Sequence, residues 1–309
     1  MAGKILVIRG GAIGDFVLTL PALRLIRETL PEAHLEVLGY RPMVDLAKVA
    51  GYADAVRSID YAPMAGFFAP GSDLDEDLKE YFSSFSVVVS YLYDPNAYFR
   101  GNLDRAGVST IVQCPYVVDE QAGHAARQLA APLEGLAMFL DEGGEAAHIP
   151  CRRVGGGPLA WHPGSGSPRK NWPLERWIET FKILGVDELV LISGEAEEER
   201  LEEIRVALEQ AGVRYRPAHG LDFESLIDEL GQVRLFLGHD SGVSHLAAAC
   251  GVPAVLVFGP TDPGVWAPAN GEVEVVRAPG GDLAELEPEM VAGAIRSQPA
   301  YRPSPGTSG

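Results

Sequence analysis

The stretch from Gly238 to Leu246 combines residue types that can bind an anion with a pattern that would present them together. It lies between an apolar run, 233–237, that is typical of a buried strand and an Ala-rich segment that is typical of a helix. Such a turn presents backbone N–H groups and the positive end of a helix dipole to a ligand. The candidate binding residues in it are Asp240, Ser241, Gly242 and His245. The alternative is an ordinary βαβ turn in which Asp240 or Ser241 caps the helix.

A second polar turn, 163–171, is rich in glycine and contains two adjacent cations, Arg169 and Lys170. Small residues let the backbone approach a phosphate closely, and a lysine ammonium supplies a point charge. We therefore expect Ser165, Ser167 and Lys170 to bind a phosphate. Considered alone, Lys170 fits an ordinary surface lysine better than a ligand-binding one.

A third turn, 10–15, carries a single carboxylate, Asp15, beside Gly14. A carboxylate can act as a general base on an acceptor hydroxyl, while a cation and a helix dipole stabilise a departing diphosphate. Together the three turns predict group transfer from an activated donor. The alternative for Asp15 is a helix cap; N–H groups bonded to the carboxylate would then lower its pKa and weaken it as a base.

Strand and helix patterns alternate along both halves of the chain, which indicates parallel sheets with helices on both faces. The predicted strands are 5–8, 35–39, 56–59, 87–90, 111–113, 159–162, 189–192, 233–237, 254–258 and 273–276. The predicted helices are 21–30 (with Asp15 as an alternative start), 42–49, 78–85, 121–140 (broken near Pro132), 174–184, 195–211, 221–231 and 283–295, and the segment 61–77 is predicted to be a loop. We expect an α/β protein with two doubly wound, Rossmann-like domains that face each other across a cleft, lined by the three turns.

A polar, glycine-rich segment at 152–158 divides the two halves. It predicts an N-terminal domain over 1–153 and a C-terminal domain over 158–282. A closing helix follows at 283–297. The last segment, 298–309, is rich in Pro, Ser and Gly, which predicts a disordered tail.

Composition narrows the function classes. The chain of 309 residues is 47% hydrophobic and 22% charged, as in soluble globular proteins. Its net charge of −18 argues against a nucleic-acid binder, which needs a basic face. Three widely spaced cysteines predict neither a disulfide framework nor a zinc site. No apolar run reaches membrane-spanning length or resembles a signal peptide. We therefore expect a cytoplasmic protein with at most peripheral contact at the inner face of the cell membrane.

A nicotinamide enzyme is the first alternative, because the chain opens with a strand and a glycine-rich turn. Gly10, Gly11 and Gly14 do not have the G-x-G-x-x-G spacing of dinucleotide-binding turns. Glu36 stands near the position of the ribose-binding acid, but one carboxylate is a weak signal. The sequence therefore predicts no cofactor.

Three groups of motifs, in the same order, resemble glycosyltransferase family 9, the ADP-heptose:lipopolysaccharide heptosyltransferases. They are KILVIR with Gly14-Asp15 and TLPAL at 19–23; HPGS at 162–165 with PRKNWP at 168–173; and DSG at 240–242 with SHLAAA at 244–249 and FGPTD at 258–262. The resemblance implies a GT-B fold and an inverting, metal-independent transfer. The donor would be a nucleotide diphosphate-sugar, and the acceptor a glycan or lipid-linked saccharide. It also implies that the closing helix packs back on the first domain.

The resemblance also assigns roles to individual residues. Asp15 matches the family's proposed general base, and Lys170 the lysine on the donor phosphates. Asp240 and His245 match the donor-site motif, in which Ser241 and Gly242 give backbone contacts. A glutamate after Gly194 would bind the ribose; the candidates are Glu197, Glu198 and Glu199, of which we take Glu198.

Two further alternatives remain open at this point. One is another sugar-nucleotide enzyme on the same architecture, such as an epimerase. The other is a protein that binds a nucleotide sugar without turnover. The oligomeric state is also open.

Overall fold

The computed structural model describes residues 3–154 and 156–301 of the chain. They form two compact units, Met1–Glu145 (unit 1) and Ala146–Gly309 (unit 2). Each unit contains one parallel β-sheet whose strands are connected through helices. The predicted α/β class with two doubly wound domains is confirmed.

Unit 1 has a five-stranded sheet in the order β3-β2-β1-β4-β5. Its strands are β1 (Lys4–Arg9), β2 (His34–Gly39), β3 (Ala55–Ser58), β4 (Val87–Ser90) and β5 (Ile111–Gln113). Its helices are α1 (Ile13–Val17), α2 (Leu20–Thr29), α3 (Asp45–Val49), α4 (Glu76–Ser83), α5 (Tyr98–Arg105) and α6 (Ala125–Ala130). Successive strands are added on one side of β1 up to β3 and on its other side from β4 onward, so the strand order reverses between β1 and β4. Open α/β sheets bind ligands at such a reversal.

The first helical segment of unit 1 resolves a choice that the sequence left open. The pattern allowed a helix starting at Asp15 or at Pro21, and the structure has both α1 and α2. Pro21 lies in the first turn of α2, where its missing N–H costs no intrahelical bond. Asp15 consequently lies inside the short helix that follows β1.

Two segments of unit 1 differ from the predictions. The helix expected over 121–140 is shorter than predicted: α6 is followed by a 3-10 turn at Ala131–Leu136, and the break lies at Pro132, as expected of a residue that cannot donate a helical hydrogen bond. The expected loop 61–77 contains a 3-10 turn at Ala62–Phe68, whose Met64 and Phe67 are buried in the core.

Unit 2 has a six-stranded sheet in the order β11-β10-β9-β6-β7-β8. Its strands are β6 (Leu159–Trp161), β7 (Glu188–Ser193), β8 (Arg214–His219), β9 (Leu235–His239), β10 (Ala254–Phe258) and β11 (Val273–Arg277). Its helices are α7 (Leu174–Leu184), α8 (Leu201–Gln210), α9 (Phe223–Gln232), α10 (Gly242–Ala249), α11 (Pro263–Trp266) and α12 (Pro288–Ser297). The order reverses between β6 and β9. A buried aromatic cluster of Trp161, Trp177 and Phe181 packs α7 onto this sheet.

The boundary between the units lies earlier in the chain than the sequence predicted. Residues 146–153 were assigned to the N-terminal domain, whereas the structure groups them with unit 2. The reason is a set of hydrogen bonds: Ile149 N–H donates to the Ala249 carbonyl at 2.9 Å, and Val154 N–H to the Gly231 carbonyl at 3.0 Å. Residues 146–153 are therefore bonded to unit 2 before the glycine-rich linker begins. Gly155 of that linker lies outside the described residues.

The closing helix, predicted over 283–297, is α12 preceded by a 3-10 turn at Leu283–Glu285. Val291 and Ile295 on its apolar face belong to the core of unit 2, where α12 packs against α7. The family resemblance implies that this helix packs on the first domain, whereas its apolar face is buried in the core of unit 2. Of the predicted tail, 298–301 ends in a 3-10 turn, and the rest lies outside the described residues.

Candidate functional site

Two of the three predicted turns meet in unit 2 at the reversal of strand order. The turn 163–171 follows β6, and the turn 239–245 follows β9, its neighbour in the sheet. His162 N–H also donates to the Leu237 carbonyl at 2.9 Å, which extends the pairing to the start of the turns. The polar groups of both turns therefore lie at one edge of the sheet, where α/β proteins bind ligands.

Lys170 and Asp240 form an ion pair that joins the two turns. The Lys170 Nζ lies 2.7 Å from the Asp240 Oδ2, which also accepts a bond from the Thr261 hydroxyl at 2.8 Å. The Asp240 side chain is only 8% exposed, whereas the Lys170 side chain remains 32% exposed. The carboxylate thus holds an ammonium group that solvent, and hence a ligand, can still reach.

The N-terminus of α10 lies directly beside this ion pair. Ser241 is its N-cap, since the Ser241 Oγ accepts a bond from Ser244 N–H at 3.2 Å. Gly242 is the first helical residue and adds no side chain there, while His245 lies buried one turn further on. The capping role that we held open for Ser241 is therefore real, and it leaves the helix dipole directed at the same edge.

The two serines of the 163–171 turn differ in position. Ser165 is buried, and its Oγ lies 2.7 Å from both the Ser167 carbonyl oxygen and the Asn171 Oδ1. Its hydroxyl is thus used to hold the turn in shape. Ser167 is half-buried, and its N–H donates to the Ser165 Oγ at 3.3 Å. Ser165 therefore serves the geometry of the turn, and a direct phosphate contact by its hydroxyl would compete with these bonds.

His239, which the sequence analysis did not select, connects the two turns from below. Its Nε2 accepts two bonds, from Trp172 N–H at 2.9 Å and from the Trp177 indole N–H at 3.0 Å. An Nε2 that accepts must be unprotonated, so the ring proton is on Nδ1. Complete burial lowers the pKa of His239 to about 3, which keeps the ring neutral. His239, which directly precedes Asp240, thus binds Trp172, which lies two residues after Lys170.

Glu197, rather than Glu198, is the buried glutamate after β7. The Glu197 Oε2 accepts a bond from Gly194 N–H at 2.8 Å. Its Oε1 is buried, has no hydrogen-bond partner among the described residues, and lies 4.0 Å from the His162 Nε2. Glu198 is 67% exposed and lies 3.2 Å from the His219 Nε2. The structure therefore separates residues that the sequence could not, and our choice of Glu198 falls on the surface residue.

Gly164 makes room for this buried glutamate. A Cβ on Gly164 would lie 1.7 Å from the Glu197 Oε1, so a side chain there would displace the carboxylate. The neighbouring His162 donates from Nδ1 to the Ile192 carbonyl at 3.1 Å, and burial lowers its pKa, which Glu197 partly opposes. The H-P-G motif after β6 and the glutamate after β7 are thus one packed arrangement.

In unit 1, Asp15 lies in the first turn of α1, directly after β1 and at the reversal of that sheet. Its Oδ2 accepts a bond from Ala12 N–H at 3.1 Å, and the side chain stays 44% exposed. Gly11 has a φ of +101°, and a Cβ there would approach the Asp15 Oδ2 to 2.9 Å. The N-cap of α1 is thus Ala12 rather than Asp15, and the Asp15 carboxylate bonds back to that N-cap while it remains open to a ligand. Gly14 continues α1 through its carbonyl, which accepts from Leu18 N–H at 2.9 Å.

Arg9 supports Asp15 from beneath and was not selected from the sequence. Its Nη2 donates to the Asp15 carbonyl at 3.2 Å and lies 3.9 Å from the Asp15 Oδ1. The buried guanidinium also lies 5.4 Å from the centre of the Tyr91 ring. Burial lowers the pKa of Arg9, and the neighbouring Asp15 opposes this shift. A buried cation thus stands next to the only carboxylate of this turn.

Comparison with known proteins identifies the family. The family model described as "Glycosyltransferase family 9 (heptosyltransferase)" matches residues 127–294, more than half of the chain. The chain belongs to glycosyltransferase family 9. The matched region contains every candidate residue of unit 2 but not Asp15.

Curated and structural relatives agree with this assignment. Lipopolysaccharide heptosyltransferase 1 of Escherichia coli O18:K1:H7 is 34% identical over 125 residues, which span 40% of this chain and only 37% of the relative. A glycosyltransferase family 9 protein of Veillonella parvula has a TM-score of 0.76 at 19% identity, over 96% of this chain and 97% of that one. The E. coli heptosyltransferase WaaC, solved with ADP, has a TM-score of 0.71 at 19% identity, over 96% and 99% of the two chains. The fold is therefore that of these GT-B-like enzymes.

Two features are absent from residues 3–154 and 156–301. No group of three or more His, Cys, Asp or Glu side chains in these ranges is arranged to hold a metal ion. No helix there is long and apolar enough to cross a membrane.

Proposed function

We propose that the protein is an inverting, metal-independent glycosyltransferase that moves a sugar from a nucleotide diphosphate-sugar to a saccharide acceptor. The observation that carries this proposal is the joining of the Lys170 ammonium, the Asp240 carboxylate and the N-terminus of α10 at one edge of the unit 2 sheet. A diphosphate fits such a site, because it can accept from the ammonium and from helix N–H groups together.

The donor is held by unit 2. Lys170 binds the diphosphate, Ser241 and Gly242 offer backbone N–H groups, and Asp240 fixes the lysine. His245 and Ser167 complete the donor contacts. We assign the ribose to Glu197 in place of Glu198, because the unpartnered Glu197 Oε1 can accept a hydroxyl bond that it otherwise lacks. The WaaC structure with ADP supports an adenine nucleotide, and the curated heptosyltransferases support a heptose as the sugar.

The reaction follows from these assignments. The acceptor hydroxyl gives its proton to the Asp15 carboxylate, and its oxygen forms a bond to the anomeric carbon. The bond from that carbon to the diphosphate oxygen breaks, and its electron pair leaves with the diphosphate. Attack opposite the leaving group inverts the anomeric configuration. Lys170 and α10 stabilise the charge that develops on the diphosphate, a task that a metal ion would otherwise perform.

The acceptor is a glycan or lipid-linked saccharide held by unit 1, beside Asp15. The curated relatives are named for lipopolysaccharide and lipooligosaccharide, which supports this class. We place the reaction in the cytoplasm, with at most peripheral contact at the inner face of the membrane.

A thermal-shift panel of ADP-, UDP- and GDP-sugars tests the donor assignment. A specific ligand stabilises the folded protein by about 2.7 kcal/mol at one hundred times its Kd. We expect the ADP-sugar to raise the Tm most, and the Lys170→Ala variant to lose that shift. Equal shifts with all three bases, or none, would contradict the donor assignment.

A further inference from the structure

The exposed aromatic side chains of the described residues concentrate in unit 1. Four exposed tyrosines lie just beyond the carboxyl ends of four strands of its sheet. They are Tyr40 after β2, Tyr61 after β3, Tyr93 after β4 and Tyr116 after β5. The strongly exposed side chains described in unit 2 include none that is aromatic. We call these four residues the tyrosine row.

The strand order places the Asp15 turn in the middle of this row. Parallel neighbours lie about 4.8 Å apart, so five strands span about 20 Å. The order β3-β2-β1-β4-β5 gives two tyrosines on each side of the β1 turn. The Tyr40 ring lies next to that turn, since a Cβ on Gly10 would lie 3.5 Å from the Tyr40 Cε2. The ring centroids of Tyr93 and Tyr116 are 4.4 Å apart.

The charge of the same edge is mostly negative. The segments that follow the five strands are 10–15, 40–44, 59–62, 91–98 and 114–120. They carry the carboxylates Asp15, Asp60, Asp94, Asp119 and Glu120. Among the described residues, Arg41 is the cation within these segments, and it lies 3.3 Å from Asp45. Arg9, buried beside Asp15, and the exposed Arg100 in the first turn of α5 adjoin the segments, so the carboxylates remain in excess. Such an edge repels an anionic ligand and tolerates a neutral one.

We propose that the tyrosine row binds an electrically neutral saccharide as the acceptor, with the apolar faces of its sugar rings stacked on Tyr93 and Tyr116. Tyrosine suits this task, because its ring offers apolar area while its hydroxyl bonds to water or sugar hydroxyls. The inference rests on the proposed function and narrows its acceptor class. Stacking beside Asp15 brings a sugar hydroxyl to the carboxylate that would take its proton.

The test uses the full chain, saturated with ADP, on a panel of immobilised oligosaccharides. Half of the panel is neutral, and half bears carboxylate or phosphate groups. We expect the wild type to retain neutral members only. Tyr93→Ala and Tyr116→Ala should each weaken that binding about tenfold, whereas Tyr93→Phe and Tyr116→Phe, which keep the ring, should stay within about threefold. Phe139→Ala, which removes a ring as exposed as that of Tyr93 but outside the tyrosine row, is the matched control and should bind as the wild type does.

Two sets of outcomes separate this inference from the proposed function. Preference for anionic glycans, absence of any glycan binding, or alanine variants that bind like the wild type would overturn the tyrosine row as the acceptor site. ADP affinity, measured by calorimetry on the same proteins, tests the donor site independently. A protein that binds ADP but fails the glycan test loses only this inference, whereas one that does not bind ADP fails the proposed function itself.

Discussion

Replacing Lys170 by alanine tests the donor site most sharply, because the ion pair makes two consequences predictable. The change removes a charge-assisted bond to the diphosphate, which contributes about 1.5–3 kcal/mol. It also leaves the Asp240 carboxylate, 8% exposed and bonded to Thr261, without its cation next to the anionic ligand. Both effects weaken the binding of ADP, so we expect the Kd for ADP to rise about tenfold to a hundredfold.

The controls come from the same turn. Arg169→Ala removes an exposed cation from the adjacent position and should change ADP affinity less than about threefold. Adenosine, which has no phosphate, should bind Lys170→Ala as it binds the wild type. The double variant Lys170→Ala/Asp240→Asn should recover part of the ADP affinity, because the repelling carboxylate is gone.

Calorimetric titration of ADP and adenosine against these four proteins decides the matter. Equal losses for both ligands would indicate a general distortion of unit 2. An unchanged ADP affinity in Lys170→Ala would show that the diphosphate does not lie at this ion pair.

Three further predictions concern other parts of the account. Asp15→Asn should lower kcat by about a hundredfold or more with ADP affinity unchanged; Asp60→Asn, at the same sheet edge, is the control, and near wild-type turnover of a folded Asp15→Asn protein would refute the base. Transfer should continue in excess EDTA, and strict dependence on added magnesium or manganese would refute metal independence. The neutral His239, with its pKa lowered to about 3 by burial, implies that the free energy of unfolding falls as the pH drops from about 6.5, because only the unfolded state gains that proton. His239→Gln should flatten this slope in denaturant titrations and raise the donor KM; an unchanged slope would contradict the burial argument.

The sequence predicted the turns of the site well, because strand, glycine-rich turn and helix leave strong local patterns. Strand β9 begins two residues later than the predicted 233–237, and the small residues after it and the Ala-rich helix α10 fall where the pattern placed them. The family motifs then selected Lys170 and Asp240, and the structure shows these two side chains in contact. Their role in binding a donor stays a prediction.

Other features depended on contacts that are distant in sequence. Strand β8 is an exposed edge strand containing Pro217, so it lacks the apolar run of a buried strand. The sequence does not distinguish Glu197 from the two glutamates that follow it. Only the structure shows that the Glu197 carboxylate occupies the space that a side chain at position 164 would fill. The role of His239 depends on two tryptophans more than sixty residues earlier in the chain.

The tyrosine row shows the same limit. Each tyrosine is visible in the sequence, one to three residues after a strand. Their grouping around Asp15 requires the order of the strands in the sheet, which alternation of strands and helices does not specify. The domain boundary was misplaced for a related reason, since only hydrogen bonds of Ile149 and Val154 assign that segment to unit 2.

The measurement that tests the central claim most directly is NMR analysis of the reaction products. The full chain is incubated in EDTA with ADP-heptose of known anomeric configuration and with neutral and anionic glycan acceptors. The account predicts one ADP released per glycosidic bond formed, and the inverted anomeric configuration in the product. A product of retained configuration, a free sugar epimer formed without acceptor, or an ADP-sugar that is bound but never consumed would contradict it.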